Sequence, residues 1–112
     1  TLVQVRKKSR LLASLLQPVA ELPHVGDIRQ CGFMVGIELV ENRDTKTPYP
    51  LERRIGHRVA QACRVRGLLL RPLGNVIALV PPLSMRPREL TKMVAILHTA
   101  IRETTENSSA AP

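Results

Sequence analysis

Arg66-Gly-Leu-Leu-Leu-Arg-Pro-Leu-Gly-Asn-Val-Ile-Ala-Leu-Val-Pro-Pro82 is the most informative stretch of the chain. Two short apolar runs, Leu68–Leu70 and Val76–Val80, flank Arg71-Pro-Leu-Gly-Asn75. Runs of that length read as buried strands, and the Pro, Gly and Asn between them predict a turn. The connection has hairpin length, so antiparallel pairing is expected. Pro81-Pro82 stops the second strand. Gly67, just upstream, reads as the C-terminal cap of a helix.

That helix, Glu52–Arg66, has the clearest periodicity. Ile55, Val59, Ala62 and Cys63 fall on one face, and Arg53, Arg54, His57, Arg58 and Arg64 on the other. Arg64 and Arg66 sit well near the negative end of its dipole. Before it, Glu41–Pro50 is polar, ends in Thr47-Pro-Tyr-Pro50 and reads as a loop. Val25–Cys31 and Phe33–Val40 read as two further strands joined by a turn or bulge at Gly32. Val35, Ile37 and Leu39 share one face of the second strand. Gly36, on the opposite face, leaves space for a neighbouring backbone, a side chain or a ligand. Leu2–Leu22 carries Val5, Leu12, Leu15, Leu16 and Val19 at helical spacing, with Pro18 expected to kink or end the helix near Gln17. Downstream, Arg88–Thr104 is a helix with Leu90, Met93, Val94, Leu97, Ala100 and Ile101 on its core face, and Pro87 suits its first turn.

The order is helix, two strands, helix, two strands, helix. That order predicts an α+β domain with helices packed on one face of a mostly antiparallel sheet. Residues 23–104 form the expected small domain. Residues 1–22 read as a lead-in helix continuing from an upstream large domain, since Thr1 to Lys8 looks like the interior of a longer element. Residues 105–112 read as a flexible tail.

The 112 residues suffice for one domain, burying roughly two thirds of the surface of the unfolded chain. No apolar run approaches the ~18 residues of a membrane span. Seventeen Lys and Arg against nine Asp and Glu give a net charge of +8, which favours anionic partners. A small basic nucleic-acid-binding domain is one alternative reading, resting on that charge and on the arginine face of Glu52–Arg66; a stand-alone binding module for a small carboxylate is another. Against the nucleic-acid reading, the basic residues are scattered, and Phe33 and Tyr49 are too few for a base-stacking platform.

The chain offers no clustered acid, base or nucleophile, so no catalytic residue is assigned. Lys7, Lys8, Lys46 and Lys92 all lie in polar or helix-surface settings, unlike a desolvated Schiff-base lysine. Cys31 and Cys63 form no metal-ligand spacing with each other or with His24, His57 and His98, so no metal site is expected, and reduced thiols fit a cytoplasmic protein. Asp27 and Arg29 share a strand face, and Glu38 on the next strand is expected to reach Arg29 as a structural ion pair. Arg71 stands out. It ends an apolar run, and Pro72 biases it to an extended conformation. A guanidinium held on a stiff turn is suited to a carboxylate ligand; it equally suits an arginine that reaches solvent or pairs with a structural acid.

These residues bear a resemblance to a known family. Val25-Gly-Asp-Ile-Arg29 with Gly32-Phe-Met-Val-Gly-Ile-Glu-Leu-Val40 resembles the C-terminal domain of class III aminotransferases, pyridoxal-phosphate enzymes of fold type I. Arg66–Ser84 and Thr47-Pro-Tyr-Pro50 are similar to the subgroup that serves biotin synthesis. The resemblance spans roughly Leu11 to Ile101. It implies the small C-terminal domain of an enzyme, a homodimer when full length, that passes the amino group of S-adenosylmethionine to 8-amino-7-oxononanoate. It implies that Arg71 binds the carboxylate of that keto acid. It also implies that pyridoxal phosphate is held by residues outside this chain, which alone should be inactive. Arg88, Ala78 and Val80 depart from the family pattern, where acidic, small or bulkier residues are expected.

Overall fold

The computed structural model describes residues 2–82 and 84–110. Alternating burial builds the sheet. β1 (Val25–Cys31) and β2 (Met34–Asn42) form a hairpin across Gly32-Phe33, with Gly32 at φ +60°, where a glycine is favoured. β3 (Thr47–Pro48) pairs with the far end of β2. β4 (Arg71–Leu73) and β5 (Val76–Leu79) form the second hairpin. The main sheet runs β1-β2-β5-β4, with every pairing antiparallel.

Val35, Ile37 and Leu39 of β2 and Ile77 and Leu79 of β5 are buried on one face. The helices cover that face: α1 (Leu2–Leu15), α2 (Gln17–Ala20), α3 (Ile55–Val65) and α4 (Pro87–Ala110). Their apolar stripes meet the sheet in a single core that includes Leu12, Val19, Ile55, Val59, Leu90, Leu97 and Ile101. Each such side chain stabilises by roughly 1.5–3 kcal/mol through burial. The α+β architecture is the expected one. Pro18 breaks the first helix as expected: α1 stops at Leu15, and Pro18 lies in the first turn of α2.

Several elements differ from the sequence expectation. The strand expected at Leu68–Leu70 lies at Arg71–Leu73 instead, and Leu69 is exposed. The cause is register. The tight turn at Gly74-Asn75, with Gly74 at φ +62°, sets Leu73 opposite Val76 and Arg71 opposite Ala78, so the residues that pair with β5 are Arg71–Leu73 rather than the leucines before them. The loop expected from Glu41 is shorter, because β2 continues to Asn42 and β3 pairs back on it. The Asn42 carboxamide oxygen accepts from the Asp44 and Thr45 amides, and this bonding favours a turn over a longer loop. The third helix begins at Ile55, not Glu52: Leu51–Arg53 is a 3-10 turn, and Arg54 adopts a left-handed conformation at φ 47°. The last helix runs past Thr104 to Ala110, with Thr105 buried and its hydroxyl donating to the Ile101 carbonyl at 2.7 Å. Residues 111–112 of the expected tail lie outside the described residues.

The family departures have a simple placement. Ala78 belongs to the sheet face away from the helices, Val80 follows the end of β5 and is 64% exposed, and Arg88 is exposed on α4. The acid expected early in that helix is present one residue on: Glu89 accepts from the Arg86 amide at 3.0 Å.

Candidate substrate-carboxylate site

Arg71 opens β4, the edge strand of the sheet. Register places it opposite Ala78, Ala78 opposite Gly36, and Gly36 opposite Arg29. These four residues form one row across the uncovered sheet face, with two small residues between two arginines. At about 4.8 Å per strand, the two arginine backbones stand roughly 14 Å apart. Leu73 and Val76 follow in the next row, with Leu73 57% exposed. Arg71 therefore stands on an apolar floor of Ala78, Leu73 and Val76.

The two arginines differ in occupancy. Arg29 donates from Nε to Asp27 Oδ2 at 3.1 Å. This pair runs along β1, which corrects the expectation that Glu38 would reach Arg29. Asp27 is two residues away on the same strand face and satisfies the guanidinium first. Arg71 is exposed, and its guanidinium has no hydrogen-bond or ion-pair partner among the described residues. It presents planar N–H donors that match a carboxylate in a bidentate pair.

The hairpin that carries Arg71 is held from behind. The Asn75 carboxamide donates to the Tyr49 carbonyl at 2.9 Å, and the Leu39 amide donates to the Asn75 carbonyl at 2.8 Å. Pro72 faces α3, with its Cβ 3.7 Å from where a Cβ on Gly56 would lie.

Other titratable groups do not join this site. Burial pushes the Cys63 thiol up to about 11, against a smaller opposing effect of the Arg66 charge, so it is not poised as a nucleophile. Cys31 is exposed in the first hairpin. Among the described residues no group of three or more His, Cys, Asp or Glu could hold a metal ion. Lys46 donates to the Gly26 carbonyl at 3.1 Å on the surface, Lys7 and Lys92 are exposed, and Lys8 is half-buried. None is enclosed as a lysine bound to pyridoxal phosphate needs to be. Phe33 and Tyr49 are buried, so neither offers a ring to a nucleic-acid base. No helix among the described residues is long and apolar enough to cross a membrane.

Sequence reasoning singled out Arg71 but not the row it belongs to. Gly36 was legible as a small residue on the uncovered face, but its alignment with Ala78 depends on register, and register was not readable from either strand alone.

Comparisons with known proteins agree with this architecture. The sequence profile of the family Aminotransferase class-III matches residues 1–101. The chain is 50% identical over 109 residues to the adenosylmethionine-8-amino-7-oxononanoate aminotransferase of Nitratidesulfovibrio vulgaris, covering 97% of this chain and 20% of that protein. The crystal structure of the adenosylmethionine-8-amino-7-oxononanoate aminotransferase of Methanocaldococcus jannaschii superimposes with a TM-score of 0.85 at 46% identity, over 88% of this chain and 23% of that one. The omega-transferase of Vibrio fluvialis superimposes with a TM-score of 0.92 at 30% identity, over 96% and 26%. The chain spans about a fifth of the length of the curated relatives it matches. On the profile match and the identity together, the chain belongs to the class III aminotransferases.

Proposed function

We propose that this chain is the C-terminal, substrate-binding domain of an aminotransferase that moves the amino group of S-adenosylmethionine to 8-amino-7-oxononanoate, giving 7,8-diaminononanoate in biotin synthesis. The substrates come from the names of relatives that are 46–50% identical. The observation in this chain that carries the reading is Arg71, an exposed guanidinium without a partner among the described residues, with the apolar side chains of Ala78, Leu73 and Val76 beside it on the sheet face.

In this reading Arg71 grips the keto acid's carboxylate with two parallel N–H donors, and the aliphatic chain lies on the floor of Ala78, Leu73 and Val76. The arginine fixes the far end of the substrate and so decides where the ketone is presented. It makes and breaks no bonds. Pyridoxal phosphate, held by an upstream large domain of a cytoplasmic homodimer, supplies the electron sink for amino transfer. The chain by itself is inactive.

The test uses the full-length protein and follows its two half-reactions separately by stopped-flow absorbance. Arg71→Ala is expected to lower the specificity constant of the keto-acid half-reaction by about 30-fold or more, the scale of truncating one partner of a buried charge pair. The S-adenosylmethionine half-reaction is expected to change little. Equal losses in both halves, or none in the keto-acid half, overturn the reading. Turnover by the 112-residue chain supplied with pyridoxal phosphate and both substrates overturns the claim of inactivity.

A further inference from the structure

Gly56 lies in the first turn of α3 and is buried. A glycine inside a helix costs about 1 kcal/mol relative to alanine, so its presence there calls for a reason. The reason is contact. A Cβ on Gly56 would overlap the carbonyl oxygen of Gly74 at the tip of the β4–β5 hairpin, and would lie 3.4 Å from that carbonyl carbon. Arg54, in its left-handed conformation, turns the chain just before α3, so that the helix begins with Gly56 against the hairpin.

The hairpin needs this support. β4 is three residues long and lies at the sheet edge, bonded to β5 alone within the sheet, with α3 packed against it. Beside the turn lies a hollow of about 260 Å³ lined by Leu51, Arg54, His57, Pro72, Gly74 and Asn75, into which the tip could shift. Three contacts hold the tip in place: the backbone approach of Gly56, the Asn75 carboxamide donating to the Tyr49 carbonyl at 2.9 Å, and the Leu39 amide donating to the Asn75 carbonyl at 2.8 Å. Arg71 is three residues from Gly74, about 10 Å along the strand, and has no side-chain bond of its own to correct a displacement.

We propose that Gly56 and Asn75 are positioning residues: they seat the β4–β5 hairpin at the depth that puts the Arg71 guanidinium in register with the keto acid's carboxylate. The proposal rests on the substrate role of Arg71 given above. Neither residue touches substrate; both act through the hairpin backbone.

The experiment uses the full-length holoenzyme and both half-reactions. Gly56→Ala forces the Gly74 carbonyl away, and a displacement near 1 Å lowers productive binding on the order of 10- to 100-fold. That loss is expected in the apparent affinity for the keto acid, with the S-adenosylmethionine half-reaction within about two-fold of the parent. Asn75→Ala is expected to give the same split with a smaller loss, and it carries the test if Gly56→Ala gives no soluble protein. Gly67→Ala is the control. Gly67 is a left-handed glycine at the other end of α3 with open space around it, so its replacement strains the backbone without touching the hairpin. It is expected to lower the melting temperature and to show no split. If Gly56→Ala and Asn75→Ala impair both half-reactions equally, or neither, the positioning role is wrong. If Arg71→Ala shows the split and these two variants do not, this proposal alone fails. If Arg71→Ala itself shows no split, the substrate role of Arg71 fails and this proposal with it.

Discussion

Arg71 and Ala78 face each other across the β4–β5 ladder, on the side of the sheet that no helix among the described residues covers. The smallest side chain on that strand thus stands beside the one arginine to which the family resemblance assigns a ligand. Arg71 is exposed and makes no bond within the described residues, so folding gains little from it. Arg71→Ala is therefore expected to change the unfolding free energy of the chain by no more than about 0.5 kcal/mol, the usual range for surface substitutions. Urea denaturation followed by circular dichroism checks this. A loss above about 2 kcal/mol would mark Arg71 as a structural residue.

The core carries the stability instead. Ile77 is fully buried and pairs in register with Ile37 on one side and Pro72 on the other. Ile77→Ala is expected to cost about 2–5 kcal/mol, since the sheet on both sides limits collapse of the cavity. Ala78→Ser, one residue along but on the uncovered face, is expected to cost less than about 1 kcal/mol. The contrast between neighbours in the same denaturation assay tests the assignment of faces. Comparable losses at both positions would contradict it.

Much of this was legible in the sequence, for identifiable reasons. The helices from Leu2 and from Arg88, and the strand with Val35, Ile37 and Leu39, carry strong periodicity, and the structure buries the faces that period selects, except that Val5 and Leu15 are half-buried. The first strand of the hairpin at Gly74 is misplaced in the sequence reading because Leu68–Leu70 is more apolar than Arg71–Leu73. Periodicity weighs composition, whereas strand position here follows turn geometry and pairing. Arg54 in a left-handed conformation had no local signal either; helical spacing ran through it to Glu52, whereas α3 starts after it, with Gly56 against the hairpin. Arg71 was legible through its Pro-Leu-Gly context and the family resemblance together; its freedom from Asp27 and Glu38 follows from its strand's place at the other edge of the sheet.

Arg66 donates from Nη2 to Glu103 Oε2 at 2.6 Å and ties the end of α3 to α4. The pair is partly exposed, at 34% and 46%, so water and salt weaken it. Glu103→Gln is expected to cost less than about 1 kcal/mol in low salt, and the difference from the parent is expected to shrink in 1 M salt. Denaturation at the two ionic strengths measures this. A cost that is large and independent of salt would show that packing of Glu103, not its charge, holds the helices together.

The two cysteines are expected to behave oppositely. Cys31 is exposed in the β1–β2 hairpin, and Cys63 is fully buried against the core. Alkylation of the folded chain at pH 8 is expected to label Cys31 and spare Cys63 until denaturant is added, because the thiolate is the reacting species and burial holds the Cys63 thiol protonated up to about 11. The same shift predicts a pH dependence of stability. The folded state holds the Cys63 proton above the pH at which the unfolded chain, with a thiol near 9, releases it. Between those values the unfolded state binds fewer protons, so stability falls as pH rises, and the contribution is fully present only below about pH 9. Cys63→Ser removes this titration but places a hydroxyl in the apolar core, so Cys63→Ala is the cleaner variant. In Cys63→Ala the fall in stability from pH 9 to 11 is expected to be shallower than in the parent chain. Equal slopes in the two proteins, or rapid labelling of Cys63 in the folded chain, would show that the thiol is not sequestered as the structure places it.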